Sequence, residues 1–434
     1  MTSFHKTERD RLQQDFDALA DITEPGIPWT RRSFTQMFLK GRDYLEKRFA
    51  EEGLTTTLDA SGNLIGRWQG TDPTLPVLMT GSHSDTVPSG GRFDGIAGIL
   101  CGLAAIRALR QAGYRPRHTI ELVDFLAEEP SEWGLSCIGS RGMAGALGPE
   151  HLGMKGPGGE ELGDAIRRVG GAPERIRQCQ RTDIGSFIEI HIEQGPVLER
   201  SRVPIGVVTA IAGIARLRIR IEGEAAHAGT APMTMRADAG IAMAALVVQL
   251  RDAARAAEST GHFTATIGII RFEPGGANVV PGAAEAIVDI RAENDQAMDD
   301  FLALAEKLAE NAALQEGCRV IAVERLSRTF AVACDPTLRS VIEASADDLG
   351  LGTLPLASGA GHDAAFVARL APAAMIFVPS KDGKSHTPEE WTDTEAIALA
   401  ADLLTHTLVW LDTQPDAPLH IPKPSTAQRR FPII

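Results

Sequence analysis

Apolar runs rich in β-branched residues, each reaching a histidine or an acid and separated by helical stretches, constrain this chain more than any other feature. Val77-Leu78-Met79 leads into Gly81-Ser-His-Ser-Asp-Thr-Val, residues 118–126 lead into Glu128-Glu129, and residues 184–192 carry His191. Strands that alternate with helices specify an α/β layered core. Open sheets of that kind collect their chemistry at strand ends. Residues distant in sequence are therefore expected to meet.

Helical spacing marks residues 4–22 and 30–52, and a buried helix fits 95–113. Short strands fit 55–58, 63–69, 76–80 and 205–211. The texture changes near Ala212. Residues 216–222 alternate strictly, as a half-buried antiparallel strand does. An Ala-rich helix over 235–259, strands at 263–272 and 284–291, a helix at 295–315 and a strand at 319–324 follow. That β-α-β-β-α-β order is the ferredoxin-like split pattern. It predicts a compact domain over residues 212–327, inserted into a larger one made of 1–211 and 328–434. Two cores suit a chain of 434 residues. The α/β texture resumes with a helix at 336–349, a strand at 373–378 and a helix at 393–412. Pro415, Pro418, Pro422, Pro424 and Pro432 then predict an irregular surface tail.

Acidic residues outnumber basic ones by 57 to 43, a net charge of −14. That argues against nucleic acid or an anionic membrane as a general partner. Cys101, Cys137, Cys179, Cys318 and Cys334 are scattered, with no CxxC pair, which fits reduced thiols. The charged start lacks the apolar core of a secretory signal, and no window approaches the apolar length of a membrane helix. A cytoplasmic protein without a membrane partner is expected.

The chemistry begins at His83, Asp85 and Asp94, an imidazole and two carboxylates behind one strand. This donor set suits a hard or borderline divalent cation. Asp85 can accept the free N–H of a ligating imidazole. Asp94 can bridge two ions, with Gly90, Gly91 and Gly95 letting the backbone crowd around it. Glu128 and Glu129 leave their strand pointing different ways, so one can ligate while the other meets a reacting water. His191 alternates with isoleucines and shares a face with Glu189 and Glu193. His386 lies in Lys384-Ser-His-Thr-Pro-Glu-Glu, which also reads as a helix entry. Singly, each has a bland explanation as a turn, a solvated acid or a core histidine. Together they describe a two-metal hydrolase site. His227, Asn278 and Arg291 fall in the inserted segment, and an arginine closing an apolar strand suits bidentate capture of a carboxylate. HExxH, the GxSxG elbow and the P-loop are all missing.

These segments, in this order, resemble the M20 metallopeptidase family and, within it, the amidase/carbamoylase branch. The matching stretches are Gly81-Ser-His-Ser-Asp-Thr-Val, Gly90-Gly-Arg-Phe-Asp-Gly, Glu128-Glu129, Gly139-Ser-Arg, His191-Ile-Glu-Gln-Gly-Pro, His227-Ala-Gly-Thr, Asn278-Val-Val-Pro-Gly, Ser358-Gly-Ala-Gly-His-Asp-Ala and Ser385-His-Thr-Pro-Glu. The resemblance implies a metal-dependent exopeptidase-like catalytic domain, a mixed sheet with helices on both faces, and an inserted lid or dimerisation domain. It implies two divalent ions per subunit, zinc foremost, with manganese, cobalt or nickel also suited. His83, Asp94 and His191 would bind one ion, and Asp94, Glu129 and His386 the other. Asp85 would orient His83, Glu128 would be the general base, and His227 would steady an oxyanion. Gln194, Asn278 and Arg291 would meet the substrate, and Ser358, Gly359 and His362 would border its pocket.

The implied reaction is hydrolysis of the carbamoyl C–N bond of an N-carbamoyl-L-amino acid to amino acid, ammonia and carbon dioxide. The implied assembly is a homodimer through the inserted domain, with His227 and Asn278 serving across the interface or on lid closure. Hydrolysis of allantoate or of N-acyl amino acids is the alternative. A non-catalytic binding protein is disfavoured, because no ligand or base position is lost. One departure stands out. The branch usually follows its Glu pair with Gly-Ser-Arg-Phe, whereas this chain has Pro130-Ser-Glu-Trp-Gly. Glu132 thus reverses a charge expected beside the site, and Pro130 stiffens the loop.

Overall fold

The computed structural model describes residues 6–178, 180–259 and 261–413. Cys179 and the proline-rich tail lie outside them. The described chain forms two compact units, one of residues 6–209, 334–356 and 362–413, the other of residues 210–333 and 357–361.

The first unit is built on strands in the order Thr55–Leu58, Leu64–Trp68, Ile120–Phe125, Val77–His83, Ile184–Ile192, Ala373–Val378 and Ile205–Ile211. The central pairings are parallel and the flanking ones antiparallel, so the sheet is mixed. Alternation sorts its faces. Ile188, Ile190 and Ile192 pack with Leu78, Ile120, Leu122 and Ile376 against buried side chains of helices Ile96–Gln111 and Thr394–Thr413, among them Ile99, Leu103, Leu404 and Leu408. Each such side chain contributes about 1.5–3 kcal/mol when taken out of water. Glu189 and His191 point to the other face, where helix Ala364–Val367 begins and the Ala364 N–H donates to Glu189 Oε2 at 2.9 Å.

Two expectations need correction here. The strand expected at 76–80 runs on as Val77–His83, so His83 is its last residue and not part of a turn. A helix long and apolar enough to cross a membrane, by length and composition, does exist at Thr394–Thr413. Its apolar residues are in the core of this unit, Ile397, Leu403, Leu404 and Leu408 being buried. A helix covered on most sides by protein is apolar nearly all round for that reason.

In the second unit four antiparallel strands lie in the order Arg319–Arg328, Gly213–Glu222, Ala283–Ala292 and Phe263–Glu273. Helices Ala239–Glu258 and Asp295–Gln315 cover one face, where Met243, Leu246, Met298 and Phe301 pack on Leu217, Ile219, Val288 and Ile290. Asp238 and Asn294 cap these helices, each accepting two backbone N–H groups. The expected helix at 235–259 begins later because Asp238 caps it, after a 3₁₀ turn at Met233–Met235. The opposite face carries a charge ladder, with Arg216 on Asp289, Arg218 on Glu324 and Arg220 on Glu273. Residues 357–361 group with this unit and not with the flanking chain. The Ser358 carbonyl accepts the Ala212 N–H at 2.9 Å, and the Gly359 carbonyl accepts from Arg291.

Candidate metal centre

The first unit brings His83, Asp94, Glu128, Glu129, His191 and His386 together at its strand ends. His83 closes strand Val77–His83, His191 lies next to the end of strand Ile184–Ile192, and the Glu pair follows strand Ile120–Phe125. Asp94 and His386 come from irregular loops, His386 with a left-handed backbone of φ 57°.

Asp94 is the hub. Its Oδ1 lies 3.1 Å from His191 Nε2 and 3.5 Å from His83 Nε2. Its Oδ2 lies 3.0 Å from His386 Nε2, which is itself 3.2 Å from Glu129 Oε1. Two sets of donor atoms result, His83–Asp94–His191 and Asp94–Glu129–His386, each set within 4.8 Å of itself and sharing Asp94. Two of the rings are turned for ligation. His83 Nδ1 lies 3.0 Å from the Asp85 carbonyl and His191 Nδ1 lies 2.9 Å from the Ile192 carbonyl. A carbonyl only accepts, so each Nδ1 carries a proton and each Nε2 faces Asp94, available to a cation once the ring is neutral.

Gly95 makes room for this packing. It has φ 66°, and a Cβ there would sit 2.5 Å from the His83 ring. Gly95→Ala is expected to displace that ring, because a side chain neither fits this approach nor readily adopts the φ of 66°. Metal content after dialysis, alongside thermal unfolding of chelated protein, checks this; wild-type metal retention would contradict it.

Asp85 stands beside His83, as expected, and meets it mainly through its backbone. Its main-chain carbonyl, not its carboxylate, holds the His83 N–H, the carboxylate being 3.6 Å away. The carboxylate instead accepts the N–H groups of Glu128 and Glu129 at 3.2 and 3.3 Å. The same turn is clamped from behind, where Cys137, Ile138 and Gly139 N–H groups donate to the carbonyls of Glu128, Ala127 and Leu126. Glu128 Oε2 lies 3.6 Å from His83 Nε2, and its Oε1 lies 3.5 Å from the Cys137 thiol. Burial, then the nearby charges of Glu129, Asp363 and Asp94, push the Glu128 carboxyl well above its ordinary range. Among the described residues, no lysine or arginine forms an ion pair with Asp94, Glu128 or Glu129. Three buried acids whose only ion-pair partners among the described residues are imidazoles fit a site built to be neutralised by divalent cations.

In the metal-free protein, hydrogen bonds to Asp94 and then Glu129 raise His386 to about 10. A raised histidine stabilises the fold fully below its unfolded value of about 6.5, and that contribution fades as pH rises through about 10. A metal needs the neutral ring, so loading near pH 7 is expected to release protons and to tighten with rising pH. Calorimetry in two buffers of different ionisation enthalpy reads the release; identical heats would contradict it.

The expected substrate residues fall into three groups. Gln194, with φ 59°, donates from Nε2 to Asp94 Oδ2 at 2.9 Å, and its buried Oε1 lacks a hydrogen-bond partner. His362 stands edge-on to His191 with ring centres 4.6 Å apart, and burial holds it well below the usual histidine range. In the second unit, His227 pairs opposite Val279, next to Asn278, whose carbonyl accepts the Ala228 N–H at 2.9 Å. His227 Nδ1 accepts the Gly229 N–H, so the neutral ring presents Nε2–H as a donor. Arg291, in that same unit, donates to Asp289 and to the Gly359 carbonyl at 2.9 and 2.7 Å, beside the turn closed by Ser358 Oγ.

Glu193 does not join the site; its carboxylate takes the Val197 and Leu198 N–H groups. Glu132, expected beside the site, is exposed at the tip of a turn, while Trp133 turns inward on Phe34 with ring centres 5.0 Å apart. Reasoning from the sequence missed Glu390, a buried acid that touches both irregular loops of the centre. The adjacent Glu389-Glu390 pair was its only signal.

The model of peptidase family M20/M25/M40 matches residues 79–409. The chain belongs to that family. It is 37% identical over 404 residues to N-carbamoyl-L-amino acid amidohydrolase of Geobacillus stearothermophilus, covering 92% of this chain and 98% of that one. It is 32% identical to ureidoglycolate hydrolase of Oryza sativa subsp. japonica, over 94% and 85% of the two chains. Allantoate amidohydrolase of Bacillus subtilis is 34% identical over 87% and 92%. Among solved structures, a hydantoinase/carbamoylase family amidase from Burkholderia multivorans superposes with a TM-score of 0.87 at 33% identity, covering 95% of this chain and 99% of that one. This M20 member is a metal-dependent amidohydrolase of the carbamoylase branch, acting on carbon–nitrogen bonds in linear amides. The mixed α/β architecture expected from the sequence is borne out.

Proposed function

We propose that this M20 hydrolase cleaves the carbamoyl C–N bond of N-carbamoyl-L-amino acids, yielding amino acid, ammonia and carbon dioxide. The observation that carries the reading is Asp94, whose two oxygens face two separate sets of histidine and carboxylate donors with Glu128 alongside. His83, Asp94 and His191 would hold one divalent ion, and Asp94, Glu129 and His386 a second, zinc suiting the mixed nitrogen and oxygen donors best. Bound there, such ions supply a Lewis acid for the scissile carbonyl and a water that ionises near neutral pH. The chain's own groups do the rest. Glu128 takes the proton of the attacking water on a carboxylate oxygen and delivers it to the departing amine. His227 Nε2–H donates to the oxygen of the carbamoyl carbon as its charge grows. Arg291 holds the α-carboxylate of the substrate, with Gln194 and Asn278 as neutral donors and Ser358, Gly359 and His362 bordering the pocket. Asp85 keeps His83 and the Glu pair in register.

A small carboxylate-bearing substrate is the partner, and the net charge of −14 opposes nucleic acid or an anionic surface. A second copy of the chain would dock on the second unit. Strand Phe263–Glu273 ends that sheet and exposes Ile269, Ile270 and Phe272, while Ile241 and Val248 are exposed on the helix Ala239–Glu258. An exposed apolar edge strand invites strand pairing. His227 and Asn278 would then act across that interface or on closure of the unit. The free thiols Cys101, Cys137, Cys318 and Cys334 fit a reducing cytoplasm.

Allantoate or ureidoglycolate hydrolysis is the second reading, favoured by the relatives with those names. Ammonia release is the test, measured on N-carbamoyl-L-amino acids, allantoate, ureidoglycolate and N-acetyl amino acids, with each metal in turn. The highest kcat/KM is expected on an N-carbamoyl-L-amino acid; a higher value on any other member would replace this assignment.

A further inference from the structure

Glu390 is buried and engaged through both carboxylate oxygens between the two irregular loops of the centre. Its Oε1 accepts the N–H groups of Phe93 and Asp94 at 2.8 and 3.1 Å. Its Oε2 accepts the Ser385 hydroxyl at 2.9 Å, on the residue before His386. The loop before Asp94 curls around this carboxylate: Gly91 has φ 110°, and a Cβ there would lie 2.3 Å from the Glu390 carboxyl carbon. Successive N–H groups turned inward in this way form a cradle for an anion. The Asp94 loop and the His386 loop both lack ladder hydrogen bonds to neighbouring strands where these two residues sit, and Glu390 is a link between them. The Ser385 hydroxyl has a single proton and also lies 3.2 Å from Asp94 Oδ2. Held by Glu390, it fixes the distance between the hub carboxylate and the exposed histidine, which is 46% accessible.

We infer that Glu390 is a positioning residue that sets Asp94 and His386 at the spacing two cations need. This rests on the two-metal reading above. Charge-assisted hydrogen bonds are roughly twice as strong as neutral ones, and outer-shell partners of metal ligands typically change affinity by about 10–100-fold. Glu390→Gln keeps the shape but loses the charge, and its amide nitrogen faces Ser385 with a donor where an acceptor stood.

Cobalt(II) titration of the chelated full-length protein, followed by visible absorption, is the test. Wild type is expected to bind two cobalt ions. E390Q is expected to bind the weaker one about 10–100-fold less tightly, with a changed spectrum, while its chelated form unfolds near the wild-type temperature. S385A cuts the link to the His386 loop, together with the hydroxyl's contacts to Asp94 and Gln194, and serves if E390Q fails to fold; the same ion is expected to weaken. Wild-type cobalt affinity and spectrum in folded E390Q, or in S385A where E390Q does not fold, would overturn this inference alone. A wild-type protein that takes up no cobalt pair would instead overturn the two-metal reading and this inference with it.

Discussion

Glu128→Gln is expected to leave the protein folded and its metal content unchanged while lowering turnover by about 10²–10⁴-fold, the usual contribution of a positioned proton-transfer group. Glu128 shares a turn with Glu129, but only Glu129 falls within a donor set, 3.2 Å from His386. Glu128 faces His83 at 3.6 Å and is otherwise contacted by a thiol. Glutamine preserves volume and leaves the clamp on the turn untouched, because Asp85 and the 137–139 backbone hold main-chain groups. What it removes is a site for the proton. Single-turnover ammonia release and metal analysis on the same preparation check both halves. Near wild-type turnover would take the proton-transfer role away from Glu128; loss of metal would make it a ligand.

Asp94→Asn is expected to do more damage by a different route. One Asp94 oxygen serves each donor set, so the amide leaves one set with an NH2 where a ligand oxygen stood. A neutral side chain also gives up the charge that two cations would share. The loss of metal affinity should exceed the roughly 100-fold that outer-shell changes produce, with activity falling in parallel and recovering only partly at high metal concentration. Its chelated form should be less perturbed than the loaded one. Binding isotherms for both variants separate the cases: Glu128→Gln binds metal normally and turns over slowly, whereas Asp94→Asn binds metal weakly.

His83, Glu129 and His191 were legible as candidates only as a set, because each closes or follows an apolar run and the donor types together suit a divalent cation. The ferredoxin-like order of the second unit was legible because strict alternation from Arg216 to Glu222 and two long Ala-rich helices carry their own periods. Asp94 and His386 sit on irregular backbone, where no period exists, and their place beside one another came from resemblance to a family. Asp85 was legible as a partner of His83 but not as the clamp of the Glu pair, because its carboxylate reaches residues 43 and 44 positions away. Glu390 was hidden for the same reason, its partners Phe93 and Asp94 being about 300 positions distant. Helix Thr394–Thr413 was misjudged because a span apolar enough for lipid and one buried in a core look alike in composition.

The central claim is that five side chains cage two cations around Asp94. Diffraction from crystals grown with zinc, collected on both sides of the zinc absorption edge, tests it most directly. Two anomalous peaks per chain are expected on either side of the Asp94 carboxylate, one reached by His83 and His191, the other by Glu129 and His386. A single peak, or peaks held by other residues in fully active protein, would contradict the account.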